Sequence, residues 1–192
     1  CGKIHTDFTA TSHTQNRWQT FKMNIELKQN IWKSDKSALG FFCVNIFECS
    51  ERNPGLNKML QNKILKEINF GPIETMRESI KEPTGYYGSL LLNKICSTDF
   101  KTLDFGRLKS EIREYWKNED WGNDLPIFKK NFDLAISSLT EFDLENRKYF
   151  YLNAEKLNKD KLDDSNFYAY LVCIISTKLE SNKIITLTFG LD

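Results

Sequence analysis

The stretch "FYAYLVCIISTKLESNKIITLTFGLD" (167–192) decides the fold class. Its first half, 167–179, is rich in β-branched and aromatic residues, and its core "FYAYLVCIIST" (167–177) carries no charge. A membrane-spanning helix needs about 20 apolar residues. This run is shorter, so it is expected to be a buried strand. "ESNK" (180–183) supplies turn-forming residues, and "IITLTFGLD" (184–192) alternates, with Ile185, Leu187 and Phe189 on one face and Ile184, Thr186 and Thr188 on the other. Two such runs joined by a tight turn predict an antiparallel pair.

Working outward, "SLTEFDL" leads through an "ENRK" turn into "YFYLNAEKL" (149–157), another strand. The charged segment "KLNKDKLDDSN" (156–166) mixes both signs and is expected to be a solvated loop. The last third is therefore a predicted β-meander. Near the other end, "FKMNIELK" (21–28) alternates with period two, the mark of a half-buried strand. "ALGFFCVNIFEC" (38–49) is apolar on both faces and predicts a central strand covered on both sides. "QNIWKSDKS" between them is expected to be a turn.

Helical spacing occupies the middle. In 53–72, Leu56, Met59, Leu60, Ile64 and Ile68 share a face, with Asn53 and Pro54 at the start and Gly71–Pro72 at the stop. In 104–120, Phe105, Leu108, Ile112, Tyr115 and Trp116 share a face. "IETMRESIK" (73–81) has helical spacing but is short. "TGYYGSLLLNKIC" (84–96) favours strand, and "IFKKNFDLAISSL" (127–139) fits either type. The expectation is an α+β fold: a mainly antiparallel sheet with a C-terminal meander, packed by two or three helices. Residues 1–17 are expected to be a flexible tether and 18–192 a single globular domain.

The order of elements, with Trp32 after the strand "FKMNIEL" and the tail "KYFYLNAEK…FYAYLVCIISTK…NKIITLTFGLD", resembles the PsbP-like architecture, which includes bacterial periplasmic lipoproteins. The likeness covers about half of the chain. That group shares no catalytic residues, so the resemblance implies a fold and no site.

The N-terminus bears on function. "CGK" followed by a polar run, with no initiator Met, resembles a mature bacterial lipoprotein, cut immediately before a cysteine that receives the lipid. That resemblance implies attachment through Cys1 to a membrane of the cell envelope, facing the periplasm or the cell surface. The four other cysteines, Cys43, Cys49, Cys96 and Cys173, are irregularly spaced. Buried thiols are one reading, and a single disulfide between Cys49 and Cys96 is the other.

Charge and composition narrow the function classes. The 192 residues carry 27 Lys and Arg against 26 Asp and Glu, interspersed, with no basic stripe for phosphates, so no nucleic-acid partner is expected. Both histidines, His5 and His13, fall in the leader. That leaves the domain without a histidine-dependent nucleophile or paired zinc-ligand spacing. No cofactor, no metal and no enzymatic activity are expected. A partner-binding surface is expected where aromatics meet charge. Glu119, Asp120 and Asp124 cluster in "NEDWGND", flanked by Trp116 and Trp121, and "EPTGYYGS" (82–89) carries Tyr86 and Tyr87 between glycines. The expected role is an envelope lipoprotein that binds another protein, as an assembly factor or a toxin-neutralising immunity protein. A carrier of a small apolar ligand or lipid is the alternative. An envelope hydrolase using paired carboxylates is the least supported.

Overall fold

The structure, a computed structural model, describes residues 23–33, 41–67, 86–87, 90–118, 121, 125–162 and 170–191. Six strands form one antiparallel sheet: β1 (Ile25–Lys33), β2 (Phe41–Cys49), β5 (Lys101–Leu103), β6 (Arg147–Asn153), β7 (Tyr170–Lys178) and β8 (Lys183–Leu191). Their spatial order is β1-β2-β8-β7-β6-β5. The first and last hairpins therefore meet, with β2 paired to β8 from Phe41 opposite Gly190 to Glu48 opposite Lys183. A two-stranded hairpin, β3 (Tyr86–Tyr87) and β4 (Leu90–Leu91), stands apart, and Leu90 bridges to Leu162. This is the expected α+β class.

Both faces of the sheet are covered, as the doubly apolar β2 requires. On one face, Phe47, Phe150, Ile175 and Ile184 pack with Leu56 and Met59 of α1 (Leu56–Gln61) and Ile64 of α2 (Ile64–Glu67). On the other, Phe42, Val44, Ile174, Leu187 and Phe189 pack with α3 (Phe105–Asn118) and α4 (Leu125–Ser137). α3 buries Phe105, Leu108, Ile112 and Tyr115, the set its spacing predicts, and α4 buries Phe128, Phe132 and Ala135. The ambiguous segment 127–139 is thus helical over most of its length, because a three-four spacing meets an apolar sheet face there.

Several expectations fail for physical reasons. The segment 53–72 is not one helix over its described part. Lys63 takes φ +63°, the left-handed region that ends a helix, and Asn62 donates from Nδ2 back to the Lys58 carbonyl, 2.8 Å. Residues 68–72 lie outside the described residues, as does all of 73–81. Within 84–96, expected to be strand, the described residues form only the short strands β3 and β4 and then turn at 92–94.

Strand β1 runs on to Lys33, through residues expected to turn. Two register shifts, at Leu27/Gln29 and Asn30/Trp32, leave Lys28 and Ile31 as extra residues opposite β2. Period two is broken at each, so Ile25 and Leu27 serve one core while Ile31 and Trp32 serve the other. Between the bulges, Asn30 Nδ2 donates to Asn45 Oδ1 (3.0 Å) and to Cys43 Sγ (3.3 Å).

Arg147, expected in a turn, opens β6 and is only 5% exposed. Its Nε donates to Ser176 Oγ (2.7 Å), and Nη2 donates to the carbonyls of Ser176 (3.1 Å) and Lys183 (3.0 Å). One side chain thus ties β6 to both strands of the C-terminal hairpin. The turn of that hairpin is closed at Glu180, φ +63°.

Candidate functional site

The helix pair on one face of the sheet holds the aromatic and acidic residues singled out in the sequence. α3 ends at Asn118 and α4 begins at Leu125, so Glu119, Asp120 and Asp124 lie in the connection, outside the described residues. Trp121 in that connection is described, and it is not a surface residue. It is 5% exposed, with its ring 4.7 Å from Phe128 and 5.5 Å, edge-on, from Tyr115. Its burial corrects the expectation of a contact residue. A large ring at a tight corner between two helices finds more apolar surface inward than outward, and it anchors the connection.

Trp116 is half-buried at the seam between the helices. Its ring meets Phe132 edge-on at 5.2 Å, and Lys129 Nζ lies 5.7 Å from its centroid. The indole Nε1 is buried and finds no hydrogen-bond acceptor among the described residues. Trp116 therefore belongs to the helix–helix seam.

The exposed apolar surface lies elsewhere on the same helix. Ile127 is 46% exposed and Leu134 47% exposed. Seven residues apart, they stand almost in line along the helix. The buried ridge of Phe128, Phe132 and Ala135 fixes how α4 sits on the sheet, and that seating turns Ile127 and Leu134 to solvent. Among the described residues the third large exposed hydrophobic is Leu179, 68% exposed in the β7–β8 turn. α4 thus presents two of the three, beside the exposed Lys130. Sequence reasoning missed both residues because the type and rotation of this segment were undecided. Their signal was present: once Phe128, Phe132 and Ala135 are assigned inward, Ile127 and Leu134 fall outside that face.

Beneath α3 and α4, Leu108, Ile136, Leu139, Leu144, Tyr149, Ile174, Ser176, Ile185 and Leu187 enclose a cavity of about 20 Å³. That is room for about one water, too little for a lipid chain. Tyr149 donates from its hydroxyl to the Leu144 carbonyl at 2.7 Å. Burial pushes its phenol well above the usual range, so it stays neutral.

The remaining candidates are dispersed. Tyr86 and Tyr87 form β3, paired with Leu91 and Leu90. Cys49 and Cys96 are both free thiols, against the reading that pairs them in a disulfide. Cys49 is buried near the end of β2, donating to the carbonyls of Glu51 (2.8 Å) and Asn182 (3.2 Å). Burial raises its pKa. Cys96 is exposed beside Thr98 and Asp99. Cys43 and Cys173 are buried in central strands. Cys1 lies outside the described residues. Among the described residues no helix is long and apolar enough to cross a membrane.

No protein-family model matches this chain, and no curated protein or solved structure matches it.

Proposed function

We propose that the chain is a bacterial envelope lipoprotein, held to a membrane through a lipidated Cys1, whose α+β domain acts by binding another protein. Its specific form is an assembly factor or an immunity protein that neutralises a toxin. The observation that carries the binding role is the exposed pair Ile127 and Leu134 on α4. Fully burying a Leu or Ile side chain yields roughly 1.5–3 kcal/mol. These two are about half-covered already, so a partner gains about 1 kcal/mol from each, enough to orient a contact. Glu119, Asp120 and Asp124, which precede α4 in the sequence, favour a partner that carries basic residues.

The anchor part of the proposal rests only on the resemblance of "CGK" and the polar run after it to lipoprotein sequences. One acyl chain binds a bilayer only marginally. Two or more, at about 0.8 kcal/mol per buried CH₂, hold the domain at the membrane, where a weak contact face gains from local concentration. The cavity under α3 and α4 gives the carrier reading no support.

The test is affinity isolation from the native envelope with the wild-type chain and with Ile127→Asp/Leu134→Asp. A protein retained by the wild type and lost with the double variant, at unchanged thermal stability, supports the reading. A set of retained proteins indifferent to both substitutions contradicts it.

A further inference from the structure

Packing across the fold sets which way the exposed face of α4 looks. Lys129 Nζ and the Phe132 ring both meet Trp116 of α3. Ile127 and Leu134 each stand two residues from one of these, about half a turn round the helix. They therefore point away from α3. α3 packs on β5 and β6, whereas α4 packs on β2, whose outer neighbour is β1. The two exposed side chains thus overlook the edge strand β1.

β1 brings two half-buried apolar residues to the same side. Ile31 and Trp32 are consecutive, yet both pack against the core that α3 and α4 cover. A regular strand would turn one of them away. The register shift between Asn30 and Trp32 supplies the exception. Trp32 meets Phe42 edge-on at 5.7 Å, and Phe42 lies 4.5 Å from Phe128 of α4, so ring contacts run from strand to helix. Ile127, Leu134, Ile31 and Trp32 frame one apolar border. The exposed Lys130 stands one turn from both Ile127 and Leu134. It makes no ion pair with a described residue.

We propose that this border seats an amphipathic helix of the partner protein, with two apolar residues seven apart and a carboxylate between them facing Lys130. The proposal rests on the reading of α4 as a contact face and names what the partner presents there. Ile127 and Leu134 are about 10.5 Å apart along α4. Residues seven apart on a second helix, laid nearly parallel or antiparallel to α4, repeat that spacing. An added strand fits poorly, because the two register shifts break the regular edge that strand pairing needs. The carboxylate is one local feature and leaves room for basic residues elsewhere on the same partner.

The experiment places p-benzoylphenylalanine at position 134 or at position 32 of the full chain in intact cells. The crosslinked peptide of each adduct is then sequenced by mass spectrometry. Both positions should trap the same segment of one protein, with apolar residues at helical spacing and an Asp or Glu between them. Lys130→Glu should weaken both adducts about fivefold, the scale of one exposed ion pair. Circular dichroism checks the fold, and position 31 takes the label if position 32 does not tolerate it. Different segments at the two positions, or a segment without the carboxylate, overturn the helix proposal and leave the α4 contact standing. Adducts indifferent to Lys130→Glu do the same. No adduct at either position overturns both.

Discussion

The indole of Trp121 and the ring of Phe128 lie 4.7 Å apart, centroid to centroid, and pin the α3–α4 connection to the core. Trp121→Ala removes that contact together with the edge-on contact to Tyr115. A loss of about 3–5 kcal/mol is expected in urea unfolding, as for other buried aromatics. Ile127→Ala and Leu134→Ala, at exposed positions, should each change stability by no more than about 0.5 kcal/mol. A small loss at Trp121 would return it to the surface.

Arg147 offers a second stability test. Its guanidinium serves the carbonyls of Ser176 and Lys183 and the Ser176 hydroxyl. Arg147→Met leaves those acceptors without their donor and should cost about 1–3 kcal/mol by chemical denaturation. Arg147→Lys should recover little, because a single ammonium cannot span both strands as the fork does.

The Asp99–Lys161 pair sets an acid dependence. Burial works against the Asp99 charge, but the Cys96 N–H and Lys161 outweigh it and hold the carboxyl below its ordinary range. Asp143 is also lowered, chiefly by Lys178. A folded pKa below the unfolded value of about 3.9 gives stability that is present above that pH and lost as pH falls through the folded value. Asp99→Asn should flatten the stability profile below about pH 4. An NMR titration should find the Asp99 carboxyl midpoint below that of an unfolded aspartate, and an ordinary midpoint would refute the pairing.

The anchor makes its own prediction. Expressed with its native upstream sequence, the protein should partition into the detergent phase, and its N-terminal peptide should carry the mass of lipid on Cys1. Cys1→Ser should move it to the aqueous phase. An unmodified Cys1 in wild-type protein purified from membranes would remove the anchor from the account.

Much of the fold was legible where burial imposes a simple period. β2 showed both apolar faces, α3 showed its stripe, and the C-terminal meander showed apolar runs separated by turns. The rest was hidden by local exceptions. β1 carries two bulges, so its alternation stops while the strand continues. The helix predicted from Asn53 breaks at Lys63, a residue type with no propensity for the left-handed conformation it takes. The candidate sites were harder still. Trp121, set among acidic residues in the sequence, reads as a contact, whereas its ring turns inward. The Asp99–Lys161 pair joins residues sixty-two apart, and only the tertiary fold brings them together.

A photo-crosslinking amino acid at position 134 in intact cells captures a protein that meets the α4 face. A control carries it at the exposed Arg113 of α3. One discrete, membrane-associated protein adduct is expected at 134, weakened by Ile127→Asp and absent at 113. No adduct at 134, or the same adducts at both positions, would contradict it.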